Sequence, residues 1–109
     1  MDLTTAQRDR GCGALVATAA GDALGAGYEL GQPPGPSQPV AMIGGGLGPF
    51  KPGEWTDDTS MAIAIAEVAA TGADLRDDGA LDLIVERWNW WARNPKDIGE
   101  QTHRAVGCG

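Results

Sequence analysis

Apolar residues recur at helical spacing in four stretches of the chain and alternate at strand spacing in none of them. Residues 4–26 carry Ala6, Leu15, Val16, Ala17, Ala19, Ala20, Ala23 and Leu24. Thr4 or Thr5 can cap this run, so it predicts an alanine-rich helix with a broad buried face. Gly11, Gly13 and Gly21 each cost such a helix about 1 kcal/mol relative to Ala, which points to close contact there with another helix or a ligand. A second helix starts on Thr56 as its hydroxyl cap, with Asp57 and Asp58 in the first turn where negative charge suits the helix dipole. Met61, Ala62, Ile65, Ala66 and Ala69 continue it, and Gly72 stops it. A third spans residues 80–93 through Leu81, Ile84, Val85, Trp88 and Trp91, ending ahead of Asn94-Pro95. A fourth begins with Asp97 as N-cap and Glu100 three residues on, a capping-box spacing.

Between the first two helices, residues 27–53 hold six of the seven prolines, with Pro33-Pro34-Gly35-Pro36 and the run Gly44-Gly45-Gly46-Leu47-Gly48-Pro49. Such a stretch is neither a helix nor a central strand. A connection of this length is functional or disordered. With no solenoid repeat, the fold class is all-α around one long Gly/Pro-rich loop.

Composition narrows the picture further. A chain of 109 residues is one small domain or part of one. Leu, Ile, Val and Phe make up only 19 of those residues, so 17 Ala and four Trp must supply close helix packing and buried area, and the core is expected to be thin. Eight basic residues against 15 acidic ones, a net charge of −7 and no Lys/Arg cluster exclude nucleic-acid or anionic-membrane binding by bulk charge. No apolar run approaches the ~18 residues of a membrane span, and Met1-Asp2-Leu3-Thr4-Thr5 lacks the order of a secretory leader, so a cytoplasmic location is expected. Cys12 and Cys108 fit neither a disulfide framework nor a metal-site spacing and read as inert, buried thiols.

Chemistry concentrates at Gly53-Glu54-Trp55-Thr56-Asp57-Asp58-Thr59, where carboxylates and hydroxyls crowd the end of the loop. Hard oxygen donors at this density suit Mg²⁺, Mn²⁺ or Ca²⁺, and the absence of nearby His or Cys argues against zinc. A plainly acid-started helix explains the same residues. Adjacent carboxylates diverge from a helix start, so an ion held there needs ligands from elsewhere. Asp22, on the apolar face of the first helix, requires hydrogen-bond partners and reads as a structural carboxylate binding loop amides. Glu29 stands at the mouth of the loop, either solvated or active. His103 has no Cys, Ser or carboxylate partner in local sequence. The glycine run at 44–48 lacks the flanking strand and helix of a dinucleotide fingerprint. Trp88 and Trp91 share a helix face and read as packing residues.

Taken in order, three segments resemble the N-terminal part of the ADP-ribosylglycohydrolase family, of the dinitrogenase-reductase-activating type. They are residues 11–29 with Gly21-Asp22-Ala23-Leu24-Gly25 and Glu29, then Gly53-Glu54-Trp55-Thr56-Asp57-Asp58-Thr59-Ser60-Met61, then Asn94-Pro95-Lys96-Asp97-Ile98-Gly99. The resemblance spans essentially the whole chain and implies that residues 1–109 are the N-terminal portion of a single all-helical domain two to three times this length, its C-terminal portion absent. It implies that Thr56, Asp57 and Asp58 are ligands of a Mg²⁺ pair, Mn²⁺ being an alternative, beneath a bound ADP-ribose. It also implies that Glu29 and Asp97 are catalytic acids touching the substrate, with Gly99 in the substrate-binding segment. The expected activity is metal-assisted hydrolysis of the N- or O-glycosidic bond joining ADP-ribose to a protein side chain or small acceptor. The family's second, Asp-x-Asp-Thr-like metal motif has no counterpart in this sequence. Three side chains from one helix start cannot fill two octahedral sites. A second polypeptide or a continuation of the chain is therefore expected as partner, with this chain alone inactive. The alternatives are a non-catalytic ADP-ribose-binding or crystallin-like relative, and an inactive truncated product.

Overall fold

The computed structural model of the chain describes residues 2–106. Four α-helices follow in order: α1 (Thr5–Gly25), α2 (Asp57–Ala70), α3 (Asp78–Trp91) and α4 (Glu100–Val106), with one 3-10 turn, Ala26–Tyr28, directly after α1. Strand pairing among the described residues is limited to an isolated antiparallel bridge between Gly45 and Phe50, so the chain is all-α as expected. None of the described helices is long and apolar enough to cross a membrane.

α1 opens on a capping box in which the Thr4 hydroxyl accepts the Gln7 amide at 3.1 Å and Gln7 Oε1 accepts the Thr4 amide at 2.8 Å. α2 ends as its sequence predicts, with Gly72 in the left-handed turn at φ 85°. α3 lies two residues earlier at each end than expected, because Asp77 and Asp78 supply its acidic start and its last turn opens ahead of Asn94-Pro95. The capping box expected at Asp97 does not form. α4 begins at Glu100, and the Gly99 carbonyl accepts the His103 amide at 2.8 Å. The segment ahead of α4 is held instead by the Gly99 amide, which donates to Asp57 Oδ2 at 3.1 Å.

α2 is the central element, packed against α1 and α3, and α4 packs against α3. Val68 of α2 with Ala80 and Ile84 of α3 forms the buried cluster, and Ala73, Leu75 and Trp88 close over it. Trp88 takes its expected packing role and adds a hydrogen bond from Nε1 to the Met61 carbonyl at 3.1 Å. Arg87 and Glu67 pair across the same two helices at 3.0 Å.

The core is thin, as the scarcity of aliphatics implies. The radius of gyration is 16.1 Å, against about 13 Å for a compact domain of this length. The molecule is a slab of 46 × 40 × 18 Å. α1 departs most from expectation, since its broad apolar face is not buried: Ala23 is its one buried residue, and Leu15 and Val16 are 47% and 68% exposed. Nothing lies within 4 Å of where a side chain would start at Gly11, Gly13 or Gly21, so the close contacts expected there are absent too. Leu15 and Val16 instead line an open cavity between α1 and α2, shared with Ala62, Ile63 and Ala66. Cys12, on the same stretch, is exposed rather than buried. Cys108 lies outside the described residues.

The long loop follows a specific path over the end of α1. The Tyr28 hydroxyl donates to the Ala41 carbonyl and accepts the Ala41 amide, both at 3.1 Å. Phe50 is buried, and Gly44, Gly45 and Gly46 all have φ between 70° and 80°. Gly46 lies so close to the Ala26 carbonyl that a Cβ would collide with it. Replacing Gly46 with Ala is therefore expected to destabilise this chain by more than about 2 kcal/mol, strain and collision acting together. Gly11→Ala, in open space within a helix, should stabilise it by about 0.5–1 kcal/mol. Urea denaturation of the two variants checks the opposite signs.

Candidate active site at the start of α2

The carboxylate of Asp22 reaches from α1 to the first turn of α2 and accepts four hydrogen bonds there. Its Oδ1 takes the Thr56 hydroxyl at 2.6 Å. Its Oδ2 takes the Thr56 amide at 2.8 Å, the Thr59 amide at 3.1 Å and the Thr59 hydroxyl at 2.6 Å. Thr56 is thus the N-cap by position, but its hydroxyl does not cap the helix; Asp22 does, across 34 residues of sequence. The expected partners of Asp22 exist, and they are the amides of a helix start rather than of the loop. Burial alone would raise the pKa of Asp22, but the two hydroxyls and then the two amides outweigh it and hold the group below its ordinary value.

The adjacent carboxylates of α2 diverge, as their positions predict, and line two different cavities. Asp57 faces a cavity of about 440 Å³ shared with Thr56, Trp91, Asn94, Lys96 and Asp97. Asp58 faces one of about 560 Å³ shared with Asp22, Tyr28 and Glu29. Thr56, Asp57, Asp58, Glu29, Asp97 and Gly99, all singled out from the sequence, therefore gather around one helix start from three separate segments. They do not form a closed metal cage. Among the described residues no three acidic, histidine or cysteine side chains are close enough to hold one ion. They are near enough to feel one another: burial, then Asp97, Asp57, Asp58 and Asp22, raise the pKa of Glu29. Burial, then Asp57 and Asp22, raise that of Asp58. Glu29 is followed by Leu30, which is exposed and has φ 57°, a left-handed conformation costing a non-glycine residue about 1 kcal/mol.

The donor set suits a hard divalent ion. The Thr56 hydroxyl has one proton, committed to Asp22 at 2.6 Å, with Asp57 Oδ1 at 3.3 Å as the alternative acceptor, so its free lone pairs can serve as a ligand. Asp58 makes no hydrogen bond among the described residues, and every candidate donor here is oxygen.

Two residues of the singled-out segments were given no role from the sequence. Glu54 and Lys96 form an ion pair at the edge of the Asp57 cavity, and the Lys96 ammonium lies 5.8 Å from the centre of the Phe50 ring. The Lys51 amide, then Lys96, hold the pKa of Glu54 down. The partners are 42 residues apart, and no local pattern announces them.

Comparison with known proteins decides the lineage. The sequence profile of the family described as ADP-ribosylglycohydrolase matches residues 3–107. This chain belongs to the ADP-ribosylglycohydrolase family. It is 37% identical to the ADP-ribosylarginine hydrolase Tri1 of Serratia proteamaculans (strain 568), over 90% of this chain and 28% of that protein. It is 36% identical to the ADP-ribosyl-[dinitrogen reductase] glycohydrolase of Rhodospirillum rubrum, over 90% of this chain and 34% of that protein. Identity to the ADP-ribosylarginine hydrolase Tri1 of Pseudomonas putida (strain GB-1) is 46%, over 90% of this chain and 27% of that protein. The chain thus spans about a third or less of the length of these glycohydrolase relatives.

Replacing Asp22 tests the joint on which this family member's site is built. An amide presents one acceptor oxygen where the carboxylate presents two, so Asp22→Asn is expected to cost about 2–3 kcal/mol. The folded-state pKa of Asp22 is lowered, so its contribution is complete above the unfolded value near pH 3.9 and is lost as pH falls through the folded value below it. Urea melts between about pH 7 and pH 3 should show wild type losing stability at the acid end, with a smaller loss in Asp22→Asn.

Proposed function

We propose that this chain carries part of the active site of a Mg²⁺-dependent hydrolase that releases ADP-ribose from an arginine side chain of a modified protein. The observation that carries the reading is the convergence on one helix start of the three segments bearing Asp22 and Glu29, Thr56 to Asp58, and Asp97 to Gly99. Family membership and the names of the relatives, two of them ADP-ribosylarginine hydrolases, support the substrate class.

In this reading Thr56, Asp57 and Asp58 hold Mg²⁺ or, with the same donors, Mn²⁺. Two ions need more oxygen ligands than three side chains supply, so the rest come from a further segment or a second polypeptide. An ion held there would supply Lewis-acid chemistry, orienting ribose hydroxyls and making a bound water more acidic. Glu29 keeps its proton to a higher pH than an ordinary glutamate and passes it to the departing guanidine nitrogen as the C–N bond breaks. Asp97, across the helix start, orients the water and takes the proton it loses as its oxygen bonds to the anomeric carbon. Asp22 fixes the Thr56 hydroxyl and touches neither substrate nor product.

The test uses the whole protein that bears this chain, measuring ADP-ribose released from an ADP-ribosylated arginine protein. Asp57→Ala and Asp58→Ala are expected to lower turnover more than a hundredfold, and EDTA to abolish it until Mg²⁺ is restored. Glu29→Gln should lower kcat by about a hundredfold with KM little changed. Wild type that binds ADP-ribose in Mg²⁺ yet releases none from any acceptor would replace this reading with that of a non-catalytic relative.

A further inference from the structure

The segment bearing Asp97 is irregular chain between α3 and α4, and it is pinned at two points. At its C-terminal end the Gly99 amide donates to Asp57 Oδ2 at 3.1 Å. At its other end Lys96 is gripped on three sides. Its ammonium pairs with Glu54 Oε1 and lies over the Phe50 ring. Its carbonyl sits against Gly48, where a Cβ would come within 3.2 Å of it and 2.7 Å of the same ring. Glu54 is itself fixed, its Oε2 accepting the Lys51 amide at 2.8 Å and its own amide donating to the Lys51 carbonyl at 3.0 Å. Asp97 and Ile98 lie between the two pins, and Asp97 is half-buried and faces the cavity that Thr56 and Asp57 also line.

We infer that the Glu54–Lys96 ion pair is a positioning device that holds Asp97 against the start of α2, with Glu54 and Lys96 as positioning residues for the reaction. This rests on the proposed function only for its effect on turnover; the effect on the segment itself stands independently. The pair is a poor candidate for a stabilising element, since its side chains are 44% and 30% exposed and ion pairs so open contribute about 0–1 kcal/mol. Its geometry instead ties the Gly/Pro-rich loop, through Phe50 and Glu54, to the residue next to Asp97. A misplacement of about 1 Å in a reacting group is enough to cost up to a hundredfold in rate. Lys96 is also the one lysine or arginine lining this cavity, so a direct contact with the diphosphate of ADP-ribose is the competing role.

The experiment compares wild type with K96M, K96R, E54Q and the charge reversal E54K/K96E in the whole protein. Three quantities are read: hydrogen exchange of the peptide covering residues 94–99, thermal midpoint, and kcat and KM for release of ADP-ribose. For a positioning pair, K96M and E54Q both raise exchange in that peptide by about threefold to fivefold and lower kcat by about tenfold, with KM within twofold and the thermal midpoint unchanged. K96R, which keeps charge and reach, retains protection and rate, and the charge reversal regains part of both. Unchanged exchange in K96M and E54Q overturns the inference. So does a rise in KM confined to the Lys96 variants with E54Q normal, which would make Lys96 a diphosphate contact. If wild type releases no ADP-ribose, the proposed function falls while the exchange comparison still decides the role of the pair.

Discussion

A single carboxylate receiving four hydrogen bonds holds the structure's functional end together. Asp22 of α1 satisfies the Thr56 and Thr59 amides at the start of α2 and both threonine hydroxyls. A helix start leaves such amides without intrahelical partners and carries partial positive charge, so a half-buried anion arriving from another helix meets both needs at once. It also joins the two helices in one register, because all four bonds form only at one relative placement of α1 and α2. The orientation of Thr56, and the divergence of Asp57 and Asp58 into separate cavities, follow from that joint.

Around it the chain spends its small residues on proximity and its few large ones on closure. Gly46 lets the loop lie on the Ala26 carbonyl, and Phe50 is buried beneath the ammonium of Lys96. Val68, Ala80, Ile84 and Trp88 make the compact joint between α2 and α3 at the far end of the slab. The acidic side chains are left between these two anchored regions, close enough to raise the pKa values of Glu29 and Asp58 and spread widely enough to leave space for ligands.

Much of this was legible in the sequence, and most of what was not depends on partners distant along the chain. Gly72, the acidic start of α2 and the packing role of Trp88 are local or periodic signals, and each was read correctly. Asp22 was legible as a carboxylate needing partners, because a charge on an apolar helix face must be satisfied; which amides would do so, 34 residues away, was not. The cap expected at Asp97 does not form, and the segment is held from a distance by the bond from the Gly99 amide to Asp57. The face of α1 failed for a different reason: periodicity reports that Leu15 and Val16 are apolar and not what covers them. Glu54 and Lys96 each stand in a segment the sequence singles out, but their pairing across 42 residues is not a local signal.

The 18 Å thickness of the slab sets how this site can use its charge. No carboxylate lies farther from water than half that distance, which is comparable to the ~8–10 Å over which physiological salt screens a charge. The fields of five neighbouring acids therefore leak into solvent, and their mutual repulsion is muted while the surface is wet. Any ligand or protein surface laid over the two cavities removes that water and lowers the local dielectric, so the same repulsion acts at greater strength. Covering Glu29 while its acidic neighbours stay charged therefore pushes its proton affinity in the direction that burial and repulsion already take it.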